Sequence, residues 1–249
     1  MQDMRLDPHG IEVHMTMTMV IPIYSWADCM LEGENPLEAD NGRKDFADLY
    51  PPAFSAIMNN PQAWGIVSEH LWNSGADKWM NSLAPEERWK ALRPGIGQLA
   101  LYGNMFPRPG GSEYLNMIAQ YHAIYGGVSG TERFLPYWDT QGLFKVMTPD
   151  VLATVRVKPD RLVVWIMNYA RQEQEVSVWL DLPRLLTDTA SSTLKNCDVF
   201  DIETARPQPI QSPFLGTEQE GKPGAGKQNT IKVKVGPRDF KIILITARK

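Results

Sequence analysis

The chain has 249 residues, of which 43% are hydrophobic and 22% charged, with a formal net charge of −4. That length favours two domains over one, and the composition is that of an ordinary globular protein. The acidic balance offers no basic stripe for nucleic acid, and no stretch approaches the ~20 apolar residues of a membrane span.

The first twelve residues carry early acids and no apolar h-region, so they do not read as a signal peptide. They fit a cytoplasmic chain, a mature form, or a piece of something longer. Residues 11–18 are β-prone, with Val13, Met15 and Met17 alternating against His14, Thr16 and Thr18. Pro22 breaks the run that follows, because proline removes a ladder donor. Residues 25–34 then form an acid-rich strand end or loop. Residues 35–44 are turn-forming, a helix starts near Asp45, and residues 53–58 make another helical segment.

Residues 64–69 are a candidate strand. Residues 84–92 read as a helix, with Pro85 and the acids Glu86 and Glu87 in its first turn. Residues 95–102 are apolar and flanked by glycine. Residues 114–125 place Tyr114, Met117, Ile118, Tyr121 and Tyr125 on one helical stripe. Residues 134–139 make a short aromatic strand or loop. Alternating strand and helix signals favour an α/β arrangement for residues 1–146.

After Met147 the character changes. Residues 151–157, 161–169, 176–182, 197–201, 230–235 and 240–246 all read as strands. Ile231, Val233 and Val235 alternate with Lys232 and Lys234, which gives one buried and one wet face. Turn signals at 158–160 and 236–238 separate them, so residues 147–249 are expected to form an antiparallel β-sandwich. Residues 216–228, rich in glycine, read as a mobile loop.

The chemistry concentrates at the end of the first apolar run. Asp28, Glu32 and Glu34 lie close to Tyr24 and Trp26. Carboxylates beside aromatic rings suit sugar hydrolysis, in which an acid protonates the leaving group while a ring stacks on the pyranose. Acids at a strand end also cap helices or simply face solvent, and His14 between apolar neighbours also fits a satisfied, half-buried histidine. Six of the eight tryptophans fall in the first 139 residues, which suits sugar platforms or a well-filled core. Trp72 and Trp138 sit among polar or loop residues and are the cleft candidates, whereas Trp89 lies in a helix and packs. Cys29 and Cys197 share no motif spacing and read as free thiols. With no Cys cluster and four scattered histidines, zinc is not indicated. No Gly-x-Ser-x-Gly, P-loop or dinucleotide fingerprint occurs.

These segments resemble the later barrel strands of large glycoside hydrolases. The residues that carry the likeness are His14-Met-Thr, Ile21-Pro22, Ser25-Trp-Ala-Asp28, Glu32-Gly-Glu34 and Asp45-Phe46. Phe134-Leu-Pro-Tyr-Trp-Asp139, Leu162 to Tyr169, Val199 to Thr204 and Val235 to Phe240 extend it through the second half. The closest group is the family-123-like proteins, whose characterised members are β-N-acetylgalactosaminidases. The resemblance implies a partial (β/α)8 TIM-type barrel in residues 1–146 followed by the antiparallel β-sandwich, in an extracytoplasmic enzyme. A whole barrel takes about 200 residues or more, so the chain resembles the C-terminal part of a longer enzyme.

The family's adjacent Asp-Glu pair, which works with the substrate's own N-acetyl group, occurs nowhere in this sequence. Its roles are therefore not transferred. Glu32 and Glu34 are the catalytic candidates, and His14, Trp26, Asp28, Trp72, Trp138 and Asp139 the substrate-binding candidates. No cofactor is implied. The expected partners are a carbohydrate substrate and either the missing N-terminal barrel half or a second copy, since an incomplete barrel exposes strand edges. The other reading is a non-catalytic carbohydrate-binding or structural protein, or an inactive truncated hydrolase.

Overall fold

The computed structural model describes residues 12–14, 29–32, 46–49, 51–53, 56, 67–70, 82–102, 132–186, 197–203 and 229–247. The chain divides into two compact units, Met1–Tyr114 and Leu115–Lys249. The described residues are mostly strands, most of them in antiparallel sheets, with few helices. The expected helix at 114–125 and the glycine-rich stretch 216–228 lie outside the described residues.

The first unit contains β1 (Glu12–His14), β2 (Cys29–Glu32) and β3 (Val67–His70), in that spatial order and all parallel. Parallel neighbours need crossover connections of a dozen or more residues, and α1 (Phe46–Leu49) falls in the second of them. Of the expected strand at 64–69, residues 64–66 lie outside the described residues, and the described strand reaches His70.

Helix α2 (Pro85–Leu101) starts where the sequence places it, with Pro85 in the first turn and Glu86 and Glu87 beside the positive end of the dipole. It does not stop at Leu92. Pro94 leaves the Lys90 carbonyl without its helical N–H donor, and Gly95 and Gly97 are poor helix formers. The helix continues because its second half is core: Leu92 and every residue from Pro94 to Leu101 is buried. Burial on all sides outweighs local propensity here. Tyr102 ends the helix fully buried, its hydroxyl donating to the Pro52 carbonyl at 2.7 Å. Toward the solvated end, Trp89 packs under the Arg93 guanidinium, 5.2 Å from the ring centroid.

The second unit has two antiparallel sheets. One runs in the order β4 (Arg133–Leu135), β6 (Val151–Lys158), β7 (Arg161–Asn168), β11 (Asp239–Ala247), β9 (Cys197–Asp201). The other runs β10 (Thr230–Val235), β8 (Gln174–Leu180), β5 (Phe144–Val146). The six strands expected after Met147 are all present, and β4 and β5, ahead of that point, pair into the same sheets.

Both sheets contribute to one core. Phe144, Val176, Val178, Leu180, Ile231, Val233 and Val235 come from the smaller sheet, and Val155, Leu162, Val164, Ile166, Ile243 and Ile245 from the larger. The short helix α3 (Leu182–Leu185) adds two leucines. Cys197 is a buried thiol on β9. Strand β10 shows strict alternation of buried and exposed positions, whereas β7 is buried at every residue from Leu162 to Asn168. Because strand faces alternate, Val163, Trp165 and Met167 of β7, with Phe240, Ile242 and Leu244 of β11, form a second buried face on the large sheet. Trp165 and Phe240 meet there at 5.9 Å.

Polar contacts fix the edges and turns. Arg156 pairs with Glu132, both largely buried, and its guanidinium lies 4.7 Å from the Phe134 ring on the neighbouring strand. Asn168, fully buried, donates through Nδ2 to the carbonyls of Gln172, Val235 and Gly236 and accepts the Ala170 N–H through Oδ1. It ties the exit of β7 to the β10–β11 turn, where Arg238 takes a φ of 51°. Removing a buried group that satisfies several partners leaves each of them to bear its desolvation cost. Asn168→Ala should therefore lower unfolding stability by about 2–4 kcal/mol, measured by urea titration of the whole chain, with unchanged stability as the contrary result.

Lys241 lies 3.0 Å from Asp201 and 3.3 Å from Glu203. Burial works to lower its pKa, but attraction to Glu203 and then Asp201, with a hydrogen bond to each, leaves it raised. A raised value means the folded state holds the proton more tightly than the unfolded chain does. This contribution is therefore fully present below the unfolded lysine value of about 10.4 and is lost as pH rises through the folded value. Burial likewise raises Tyr169, reinforced by Tyr137 and opposed by Arg238, so it gives alkaline loss of the same sign. Lys241→Met should destabilise the protein at neutral pH, and the gap from wild type should narrow as pH rises through the folded lysine value, as read from urea midpoints at neutral and strongly alkaline pH.

Candidate functional site

Three neighbouring parallel strands each end in a titratable residue. His14 is the last residue of β1, Glu32 of β2 and His70 of β3. The register pairs His14 with Leu31 and Glu32 with His70, and Leu31 also pairs with Glu69. Glu32 therefore ends the central strand, with a histidine ending the strand on either side. Two of these positions, His14 and Glu32, are sequence-derived candidates. His70 is not, because the strand signal at 64–69 stops one residue short. The available clue was the polar triplet Ser68-Glu69-His70 at the close of a β-prone run.

The other candidates divide into two groups. Trp26, Asp28, Glu34 and Trp72 lie outside the described residues. Trp138 and Asp139 belong to the second unit, on the turn between β4 and β5, whereas His14 and Glu32 belong to the first. Trp138 is 42% exposed, the most exposed aromatic among the described residues, and it stands edge-on to Tyr137 at 4.8 Å. The turn beneath it is held by the Asp139 amide donating to the Pro136 carbonyl at 3.1 Å and the Leu143 amide to the Thr140 carbonyl at 2.9 Å. Asp139 itself is exposed. Near this end of the sheet the Tyr169 hydroxyl is buried with no hydrogen-bond partner among the described residues.

The remaining ionic contacts serve the fold. Arg156–Glu132 and Lys241–Asp201–Glu203 are internally paired and largely buried. Among the described residues no three His, Cys, Asp or Glu side chains converge as a metal site, and no helix is long and apolar enough to cross a membrane.

Neither a family model nor a curated protein matches the sequence. Solved structures do match. A proposed α-galactosidase from Bacteroides fragilis aligns with a TM-score of 0.50 and 12% identity, covering 95% of this chain and 47% of that one. A noncanonical maltogenic α-amylase from Thermotoga neapolitana gives 0.48 and 11%, covering 94% and 54%. A family-27 β-L-arabinopyranosidase from Geobacillus stearothermophilus, in complex with arabinose, gives 0.47 and 9%, covering 96% and 58%. The chain spans about half the length of these structures. At such identity the likeness is one of fold alone.

The exposure of Trp138 separates it from the core tryptophans. Its edge contact with Tyr137 should contribute only about 0.5–1.5 kcal/mol, so Trp138→Ala should cost no more than that. Trp165, 3% exposed, should cost about 3–5 kcal/mol on the same change. Urea unfolding of the two variants checks the contrast, and equal losses would place Trp138 in the core.

Proposed function

We propose that this chain is a glycoside hydrolase, or the C-terminal portion of one, that cleaves O-glycosidic bonds of an oligo- or polysaccharide. On this reading the first unit, Met1–Tyr114, belongs to the closing part of a (β/α)8 barrel, and the antiparallel sheets of the second unit, from β4 onward, are a β-sandwich. The observation that carries the proposal is the position of Glu32, a carboxylate residue ending the central strand of a parallel sheet. Barrel enzymes draw their catalytic groups from the C-terminal ends of such strands. The likeness to the Bacteroides fragilis structure over nearly the whole chain supports the fold half of the proposal.

The roles follow from the chemistry of acetal cleavage. Glu32, or Glu34 two residues on, serves as the acid that donates a proton to the leaving oxygen as the C–O bond breaks. His14 and Asp28 bind sugar hydroxyls and Trp26 and Trp72 offer stacking faces, whereas Trp138 and Asp139 belong to the second unit. The finer form of the proposal places the enzyme near family 123, acting on amino-sugar or galactose-type glycans outside the cytoplasm without a cofactor.

A second reading, a carbohydrate-binding module without hydrolysis, draws on Trp138, whose exposed ring is held on a hydrogen-bonded turn. One substitution distinguishes the two. Under the hydrolase reading, Glu32→Gln in the protein at its native length lowers kcat by about 10²–10⁴-fold on nitrophenyl galactosides or N-acetylgalactosaminides, with an unchanged urea midpoint. Wild-type kinetics in that variant would remove Glu32 from catalysis. Glycan binding with no turnover in either protein would select the binding module.

A further inference from the structure

We propose that the outer face of the smaller sheet binds a uronic-acid glycan, with Trp179 under a sugar ring and Lys145 and Lys232 on its carboxylates. Alternation along the strands sets the two faces of that sheet. Val176, Val178 and Leu180 of β8, Ile231 and Val233 of β10, and Phe144 of β5 point into the core. Ser177, Trp179, Thr230, Lys232 and Lys145 therefore point the other way, and none of them is buried. Polar residues suit such a wet face. Trp179, on the central strand, is the exception. The register sets Lys145 beside it on β5 and Thr230 beside it on β10, while Lys232 faces Ser177 and so lies one step diagonally away. Cross-strand neighbours stand about 4.5–5.5 Å apart and diagonal ones about 7–8 Å.

The chemistry of the face selects the ligand. Trp179 is half-buried, and its indole nitrogen is shielded from water without a hydrogen-bond partner. What the side chain leaves to solvent is therefore ring carbon, the part of an aromatic residue that packs on the C–H face of a pyranose. Met147, 51% exposed, extends that apolar surface beside Ser177, to whose carbonyl its amide donates at 2.9 Å. Lys145 and Lys232 are exposed and make no ion pair among the described residues, whereas Lys234 is paired with Glu173 at 3.5 Å. Glu175, the acid on this face of β8, registers with Lys234 and with neither of the other two lysines. In a chain of net charge −4, two unpaired cations flanking one aromatic ring favour a carboxylate over a neutral sugar. A uronic acid supplies both halves at once, an apolar ring face and a carboxylate at the ring's rim. The flexible four-carbon stem of a lysine on the next strand carries its ammonium to that rim. This surface belongs to the second unit and requires no hydrolysis at Glu32.

The test is biolayer interferometry of the full chain on immobilised polygalacturonate, with neutral galactan and dextran sulfate surfaces beside it. Polygalacturonate should bind more tightly than either, and the binding should weaken as salt is raised. Trp179→Ala should weaken it by about fivefold or more. The double change Lys145→Gln with Lys232→Gln should weaken it by about tenfold and leave the urea midpoint unchanged. Both lysines are exposed, so this variant keeps the test decisive even where Trp179→Ala fails to fold. No binding to polygalacturonate, or binding that the lysine changes leave intact, overturns the proposal. Equal binding to galactan removes the carboxylate from it, and equal binding to dextran sulfate reduces the face to unselective charge, so either result overturns it as well. Binding that survives Glu32→Gln and is lost in the lysine variant supports the surface whatever the fate of the hydrolase reading. Glu32-dependent hydrolysis without polygalacturonate binding sinks the surface and spares that reading.

Discussion

Strand β7 imposes the constraint on which the second unit depends. Its side chains from Leu162 to Asn168 are all buried, so its backbone donors and acceptors have only β6 and β11 to pair with. Both neighbours run alongside it from Arg161 to Asn168. A one-residue slip would exchange the two sets of side chains between faces that are both filled. Asn168 reinforces the register at the point where the strand leaves the sheet, by holding the carbonyls of Val235 and Gly236 in the turn that starts β11.

The first unit works by a different rule. Its strands are parallel, so three C-terminal ends line one edge of a sheet, and the sequence puts His14, Glu32 and His70 there. Parallel strands cannot be joined by tight turns. The long connections that follow each strand end are available to build specificity, and loops on a rigid scaffold are where folds of this class carry function.

The antiparallel strands were legible because their signal is local. The alternation of Ile231, Val233 and Val235 with lysines needs no knowledge of the partner strand, and the turns at 158–160 and 236–238 mark their own ends. The second buried face of the large sheet was not legible, since a run such as Leu162 to Met167 states that a strand is buried without stating how many layers cover it. Helix α2 was cut short at Leu92 because Pro94, Gly95 and Gly97 read as breakers, whereas burial of Ile96, Leu99 and Leu101 carries it on. Three-residue strands such as β5 are too short to show a period. His70 escaped notice because its register with Glu32, thirty-odd positions earlier, is something periodicity along one strand cannot report.

The central claim is that the edge formed by His14, Glu32 and His70 is a sugar site. A crystal structure of the chain soaked with galactose and with N-acetylgalactosamine tests it most directly. The account predicts a sugar ring at the C-terminal edge of β1–β3, within hydrogen-bond distance of Glu32. Sugar bound only beside Trp138, or no sugar at a concentration that saturates other galactose-binding proteins, would contradict it.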